Sequence, residues 1–255
     1  MKYNNHKQFR PKKSQLIVGR KAVIEAISSG KHLERIYLEQ TAYGPDVESI
    51  RKLAAEHLIP INKVPVEKLN SFHVPDHEGA LGMIAKIQYQ DLQQVISFVV
   101  EAGKVPLFLI LDGVTDIRNI GGIGRTALCC GADAIIIPDK GVGAINDDAI
   151  TTSAGALEKI AVCRVPSLHK AVDDLHLNGI QVFASEMNAP QAIFSLDFTL
   201  PAAIVLGGEE KGIQPSLQKL CDNSFNIPMP GRFESLNVSV AAGMILYEVV
   251  RQRLS

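Results

Sequence analysis

The segment from Leu111 to Ala127 could do chemistry, because an apolar run leads through glycines into a helical pattern that carries Asn119 and Arg125. A strand, a loop and a helix in this order can place an anion at the helix N-terminus. The glycines match a relaxed dinucleotide fingerprint, but seven residues, 114–120, separate them from Gly113, whereas the fingerprint needs them directly at the end of the strand. A nicotinamide site is therefore disfavoured, and Gly121 and Gly122 equally predict close packing of the backbone.

Two later segments also bring polar side chains to glycine- or proline-rich turns. Residues 204–213 end an apolar run in glycines and carry Glu209, whose carboxylate argues against a phosphate-binding loop. A polar turn in water is the alternative for this segment. The stretch from Ile227 to Ser239 delivers Ser235 and Asn237 to the start of the last helix, where either side chain could be the helix N-cap.

Short apolar runs that alternate with helical patterns beyond Pro106 predict a parallel α/β sheet to position these segments. The predicted strands are Leu107–Leu111, Ala134–Ile137, Gln181–Ala184, Ala203–Leu206 and Ser224–Ile227. Apolar residues at three- and four-residue steps predict the last helix over Val238–Arg253. The mixed pattern of residues 16–90 indicates a smaller α/β domain, and Asp91–Gly103 predicts an amphipathic helix.

The composition of the 255-residue chain, with 46% apolar and 21% charged residues, is typical of a globular protein. Its apolar runs are far shorter than the ~18 to 20 residues that cross a bilayer, so we expect no membrane span and a cytoplasmic protein. The four cysteines form no Cys-x-x-Cys pair and the seven histidines form no His-Glu-x-x-His pattern. We therefore expect no metal site.

The charge is uneven along the chain. Five basic residues and no acidic residue precede residue 16, although the whole chain has a formal net charge of −1. Such a basic leader can attract a polyanion through phosphate contacts and counterion release. A solvated tail with no partner is the alternative that charge alone leaves open.

Taken together, the three segments resemble the TrmH-like family of RNA ribose 2′-O-methyltransferases, which belongs to the SPOUT class. The resemblance rests on three ordered motifs and covers nearly the whole chain. They are Asn119-x-Gly121-x-x-x-Arg125, Gly207-x-Glu209-x-x-Gly212, and Ile227-Pro228-Met229 followed by Ser235-Leu236-Asn237-Val238-Ser239. In the upstream domain, Val18-Gly19-Arg20-Lys21-Ala22-Val23 and His77-Glu78-Gly79 are similar to the RNA-binding domain of the bacterial 23S rRNA guanosine-2′-O-methyltransferases.

The resemblance implies an α/β fold, with a small N-terminal RNA-binding domain and a C-terminal SPOUT domain whose parallel sheet contains a trefoil knot. It implies methyl transfer from S-adenosylmethionine to a ribose 2′-hydroxyl by a homodimer, with no metal. The residues implied at the cofactor are Gly207, Ile227, Met229 and Leu236, and those implied in catalysis are Arg125, Asn119, Glu209, Ser235 and Asn237. A guanidinium is essentially always protonated, so we expect Arg125 to anchor phosphate and stabilise an alkoxide rather than to act as a base.

We expect a basic leader over 1–15, an RNA-binding domain over 16–90, a linking helix over 91–105 and the catalytic domain over 106–255. The resemblance favours a guanosine of 23S rRNA as the substrate. The alternatives are a tRNA 2′-O-methyltransferase, a nicotinamide-dependent oxidoreductase, and a non-catalytic RNA-binding or assembly factor with the same fold. Three positions depart from the family pattern, because Ile117 replaces a usual proline, Gly122 a common alanine and Gly124 a bulkier residue.

Overall fold

The computed structural model describes residues 15–231 and 235–254, and the chain divides into two compact units between Ala85 and Lys86. All of the predicted basic leader except Gln15 lies outside the described residues. Residues 232–234 also lie outside them, within the third motif segment, so the trefoil knot that includes this segment stays a prediction. No helix in the described ranges is long and apolar enough to cross a bilayer.

The N-terminal unit is a four-stranded sheet with helices, as the mixed pattern predicted. Its elements are β1 (Leu16–Val18), α1 (Arg20–Ser28), β2 (Leu33–Glu39), α2 (Pro45–Glu56), β3 (Ile61–Val64), α3 (Val66–Asn70) and β4 (Ala80–Ile84). The strand order is β1-β4-β2-β3, and only β2 and β3 run parallel, because helix α2 provides the crossover between them. Val23 and Ile27 of α1 and Val47 and Ile50 of α2 are buried together against the sheet.

The C-terminal unit carries the larger sheet and the three motif segments. Its elements are β5 (Tyr89–Gln90), α4 (Leu92–Glu101), β6 (Leu107–Asp112), α5 (Ile117–Cys129), β7 (Ala134–Pro138), α6 (Asp147–Thr152), β8 (Ala161–Val165), α7 (Leu168–Leu177), β9 (Gln181–Ser185), β10 (Gln191–Ala192), β11 (Ala202–Gly207), α8 (Pro215–Gln218), β12 (Asn223–Asn226) and α9 (Val238–Leu254). The eight strands lie in the order β10-β12-β9-β11-β6-β7-β8-β5. Every neighbouring pair in this sheet is parallel, which confirms the predicted parallel α/β architecture.

Buried side chains on both faces explain why the central strands appear as continuous apolar runs. Leu107, Leu109 and Leu111 of β6 face one core with α5 and α9, whereas Phe108 and Ile110 face a second core with α4 and α7. Strands β6 and β11 pair along their whole length, so the turns that follow them lie side by side at the carboxyl edge of the sheet. This edge is where open parallel sheets bind ligands.

Residues 86–90 belong by their contacts to the larger of the two compact units. Tyr89 and Gln90, the last residues of the domain predicted over 16–90, form β5, the edge strand of the larger sheet, by pairing with Val162 and Cys163. Helix α4, predicted as part of a linker, packs into the second core through its apolar face. The apolar residues of this stretch are therefore used by the larger sheet.

Candidate active site

A cavity of about 410 Å³ opens at the carboxyl edge of the large sheet, within the range of small-molecule sites. Its walls come from the ends of β9 and β11, the chain after β12, and the start of α9. They are Ser185, Glu186, Met187, Asn188, Leu206, Gly207, Gly208, Glu209, Glu210, Lys211, Gly212, Ile213, Ile227, Met229, Ser235, Leu236, Val238 and Ala241. The four predicted cofactor residues and two of the predicted catalytic residues, Glu209 and Ser235, are among them.

The turn after β11 needs glycine because the backbone approaches itself closely there. A Cβ at Gly207 would overlap the backbone of Gly212, and one at Gly208 would overlap the carbonyl of Gly113. The Gly208 amide donates to the carbonyl of Asp112 at 2.8 Å, and the Gly212 amide donates to the carbonyl of Gly208 at 2.8 Å. The second motif thus forms a compact turn that brings Glu209 to the neighbouring strand.

Three side chains, one from each motif, form a hydrogen-bonded network. Asn119 Nδ2 donates to Glu209 Oε1 at 3.0 Å. Asn237 Nδ2 lies 2.9 Å from the same Glu209 oxygen and 3.0 Å from Asn119 Oδ1. Asn119 is buried, whereas Glu209 and Asn237 are exposed. The structure therefore brings together Asn119, Glu209 and Asn237 from positions far apart in the chain.

Asn237 also begins the last helix. Its Oδ1 accepts from the amides of Ser239 at 3.0 Å and Val240 at 3.4 Å, the pattern of an N-cap side chain. The Ser239 hydroxyl donates to the same oxygen at 2.6 Å. The predicted N-cap is therefore Asn237, and its amide nitrogen stays directed at Glu209 while its oxygen caps α9.

Arg125 lies apart from this network. It is exposed on α5, and within the described chain it makes no hydrogen bond or ion pair with Asn119, Glu209, Ser235 or Asn237. The six residues from Asn119 to Arg125 turn about 600° at 3.6 residues per turn, which places the two side chains on different sides of the helix. Among the described residues, the network of Asn119, Glu209 and Asn237 is thus formed without Arg125, whose implied role in catalysis stays a prediction.

Arg118, which sequence reasoning missed, is a cation close enough to Glu209 for their charges to attract each other. Its guanidinium bonds to Asp116 at 2.9 Å. These hydrogen bonds to Asp116 raise the pKa of Arg118, and attraction by the Glu209 carboxylate is a smaller cause of the same direction. The hydrogen bonds from Arg118 hold the pKa of Asp116 below its usual value. Arg118 carries no spacing signal of its own, because it lies one residue before Asn119, where the first motif begins.

The segment after β9 was also missed as part of the cavity. Glu186 accepts a hydrogen bond from the side-chain amide of Gln218, and burial raises the pKa of the Glu186 carboxyl. Asp112, buried at the end of β6, accepts from the amide of Gln214 at 2.7 Å and from its side chain at 2.9 Å. Their positions in the sequence could have identified both acids, since each lies at or just after the carboxyl end of a predicted strand.

Metal ligands are not grouped in the described part of the chain, where no set of three or more His, Cys, Asp or Glu side chains could hold an ion. The glycines of the suspected dinucleotide fingerprint lie within helix α5, so they do not form the turn between strand and helix. A dinucleotide-binding site needs a glycine-rich turn at this point to bind the pyrophosphate, so the helix disfavours a nicotinamide cofactor. The geometry favours a ligand in the cavity beside Glu209.

Comparison with known proteins decides the family. The profile described as the SpoU rRNA Methylase family matches residues 106–247. The chain belongs to this SpoU family of methyltransferases. Residues 16–90 match a second profile, described as RNA 2′-O ribose methyltransferase substrate binding. The chain is therefore a SpoU/TrmH-family RNA methyltransferase with an N-terminal substrate-binding domain.

Individual relatives match most of this chain. YacO of Bacillus subtilis, which carries the name of a TrmH family tRNA/rRNA methyltransferase, is 33% identical over 93% of this chain and 95% of its own. The AdoMet-bound rRNA methyltransferase of Sinorhizobium meliloti has the same fold, with a TM-score of 0.60, 22% identity and coverage of 94% and 88% of the two chains. The A. aeolicus TrmH/SpoU tRNA modifying enzyme matches 64% of this chain and 84% of its own, at 27% identity and a TM-score of 0.54.

Gly122 and Gly124, which the sequence analysis gave as departures from the family pattern, lie close to side chains of neighbouring elements. A Cβ at Gly124 would lie 2.5 Å from Leu157 Cδ2, and one at Gly122 would lie 3.2 Å from Ser239 Cβ. A leucine thus occupies the volume that a side chain at position 124 would take. Both glycines lie within a regular helix in the structure.

Proposed function

We propose that this protein transfers the methyl group of S-adenosylmethionine to a ribose 2′-hydroxyl of RNA, with a guanosine of 23S rRNA as the preferred acceptor. The observation that carries the proposal is the contact between a nucleoside-sized cavity and the network of Asn119, Glu209 and Asn237. Glu209 belongs to both. A cofactor in the cavity would therefore lie beside polar groups that can orient a hydroxyl.

The cavity residues fit the cofactor in both shape and polarity. Gly207 has no side chain where one would overlap the backbone, and Ile227, Met229 and Leu236 contribute apolar walls. Such a mixture of exposed backbone and apolar side chains suits an adenine ring. When bound there, S-adenosylmethionine supplies an electrophilic methyl group.

Arg125 would act on the RNA. A ribose 2′-hydroxyl is a poor nucleophile until its proton leaves, so a positive charge that stabilises the developing alkoxide lowers the barrier. Arg125 is exposed and bonded to no described side chain, which leaves its donors available for a phosphate and the 2′-oxygen. The guanidinium stays protonated, and an RNA phosphate oxygen is the proposed proton acceptor. Asn119, Glu209, Ser235 and Asn237 would hold the ribose.

The N-terminal unit supports rRNA as the substrate. The S. meliloti rRNA methyltransferase matches 94% of this chain, whereas the A. aeolicus tRNA modifying enzyme matches 64%. Only the first coverage is large enough to include both units of this chain. Methylation of tRNA is the second candidate, and the assay below separates the two.

We also propose a cytoplasmic homodimer that forms through α9. Val240, Met244 and Tyr247 are exposed at 51%, 46% and 68% and recur at four- and three-residue steps, so they share one face of the helix. A second copy of the chain would bury this apolar face. Light scattering should give about twice the 27.7 kDa of the chain, and a stable monomer with full activity would contradict the dimer.

The test is methyl transfer from tritiated S-adenosylmethionine to unmodified transcripts of 23S rRNA, 16S rRNA and tRNA, followed by digestion to nucleosides. We expect label in 2′-O-methylguanosine from 23S rRNA, and none with Arg125→Ala. Label in tRNA would move the assignment to the second candidate, and label on a base would refute ribose methylation. Calorimetry should show binding of S-adenosylmethionine and none of NAD; binding without any transfer would indicate a non-catalytic RNA-binding factor.

A further inference from the structure

Three segments meet at one end of the N-terminal sheet, which we call the three-loop end: residues 19–21, where the turn after β1 enters α1, and the loops 40–44 and 71–79. Arg20 joins them, because its Nε donates to the carbonyl of Glu78 at 2.6 Å and its Nη1 donates to the carbonyl of Tyr43 at 3.1 Å. A single side chain thus fixes the loop before α2 against the loop before β4.

The third loop has an unusual backbone. His73, Asp76 and Glu78 have φ angles of 53°, 52° and 48°, and they are three of the five non-glycine residues with positive φ in the described chain. Such conformations cost free energy and persist where surrounding contacts impose them, often at binding surfaces. Here His77 imposes the path, because its Nδ1 accepts from the Gly79 amide at 3.1 Å and its Nε2–H donates to Asn70 Oδ1 at 2.9 Å.

Tyr43 projects from this rigid end with 84% of its surface exposed. Its loop is anchored on both sides: Arg20 holds the Tyr43 carbonyl, and the preceding Ala42 is buried in the core. An exposed aromatic ring on a fixed backbone offers a stacking surface at low entropic cost, since the loop is already ordered.

The charges at the three-loop end favour a base over a phosphate. Arg20 and Lys21 are accompanied by Glu39, Asp76 and Glu78, so the end carries no excess of positive charge. Two of these acids hold the loops, because Glu39 accepts from the Thr41 hydroxyl at 2.8 Å and Glu78 accepts from the Arg20 amide at 3.4 Å. Base stacking needs an exposed ring and is sequence-tolerant, whereas phosphate binding needs net positive charge.

We propose that Tyr43 stacks on an unpaired base of the RNA substrate, so that the three-loop end selects single-stranded loops. This inference rests on the proposed RNA substrate. In paired RNA the bases are stacked on one another and offer no free face, so only a loop, bulge or end can present one. The unit therefore contributes recognition of RNA structure, in addition to any attraction by the basic leader.

The chain contains no tryptophan, which makes the test direct. Tyr43→Trp places a single indole at the three-loop end, and Phe98→Trp is the matched control on α4, where Phe98 is 69% exposed. Titration with unmodified 23S rRNA or tRNA transcripts should quench most of the indole emission of Tyr43→Trp and leave that of Phe98→Trp unchanged. A blunt 20-base-pair RNA duplex should quench neither.

Affinity measurements complete the test. Tyr43→Ala should weaken binding of the preferred transcript about tenfold, as expected for loss of one base–aromatic stack, and Tyr43→Phe should bind like wild type. No quenching by any RNA, equal quenching by the duplex, or wild-type affinity in Tyr43→Ala would overturn the inference. Quenching without methyl transfer would leave the inference standing and refute the proposed function; methyl transfer without quenching would do the reverse.

Discussion

Glu209 is the residue whose removal the structure predicts most quantitatively. Its Oε1 accepts from Asn119 at 3.0 Å and from Asn237 at 2.9 Å, so both hydrogen bonds depend on one oxygen. Asn119 is 8% exposed, and Glu209→Ala would leave its amide nitrogen without a protein acceptor. At about 1 kcal/mol for each bond, a low value chosen because solvent reaches Glu209, the loss is about 2 kcal/mol.

If the network must be formed for reaction, this loss lowers kcat/KM for RNA about 30-fold, since about 1.4 kcal/mol corresponds to a factor of ten. Glu209→Gln keeps an oxygen acceptor but removes its charge. Charge-assisted hydrogen bonds are roughly twice as strong as neutral ones, so this variant should lose about 1 kcal/mol, or about fivefold. The order wild type, Glu209→Gln, Glu209→Ala is the qualitative prediction.

The assay is single-turnover methyl transfer to the preferred transcript at saturating S-adenosylmethionine. Glu101→Gln is the control, because Glu101 is an exposed carboxylate at the end of α4, outside both the cavity and the network. It should retain wild-type transfer. Transfer by Glu209→Ala within threefold of wild type, or equal losses in Glu209→Ala and Glu101→Gln, would refute the role assigned to the network.

Three further predictions concern other parts of the C-terminal unit. Arg125→Ala should abolish methyl transfer and leave the affinity for S-adenosylmethionine unchanged. Arg125→Lys should retain only part of the methyl transfer, because lysine lacks the planar guanidinium group. Near wild-type turnover of either variant would remove Arg125 from the mechanism. Gly124→Ala should lower the free energy of unfolding in urea by about 1 to 3 kcal/mol, because its methyl group overlaps Leu157. In a Leu157→Ala background the same substitution should be neutral or stabilising, since alanine favours the helix by about 1 kcal/mol over glycine. Equal effects in both backgrounds would contradict this packing. Hydrogen bonds from Arg251 and Gln252 lower the pKa of Glu248 to about 2, so the stability it contributes is present above pH 4.5 and is lost as the pH falls towards 2. Urea midpoints should fall more steeply over that range for wild type than for Glu248→Gln, and parallel curves would contradict the shift.

The strands that the sequence predicted well are those buried on both faces. Residues of β6, β7 and β11 are apolar almost without interruption, so burial alone identifies them. Strand β8 was missed because Arg164 interrupts its apolar run. In the structure Arg164 is only 7% exposed and lies 3.5 Å from the centroid of the Tyr89 ring, a partner on β5 that no local pattern reveals.

The resemblance named residues that the structure places at one cavity, but it did not reveal how the side chains are arranged. Gly207, Ile227, Met229 and Leu236 were implied at the cofactor by the family motifs, and all four line the cavity. The hydrogen bonds that join Asn119, Glu209 and Asn237 left no signal in the local sequence. The attraction between Arg118 and Glu209 depends on how α5 lies beside the turn after β11, which no local pattern reveals.

A map of ribose 2′-O-methylation across total RNA, from cells with and without this protein, tests the proposed reaction in the cell. We expect deletion of the protein to remove 2′-O-methylation from the ribose of a guanosine in 23S rRNA. Wild-type protein should restore the mark and Arg125→Ala should not. Identical maps in the presence and absence of the protein, or restoration by Arg125→Ala, would contradict it.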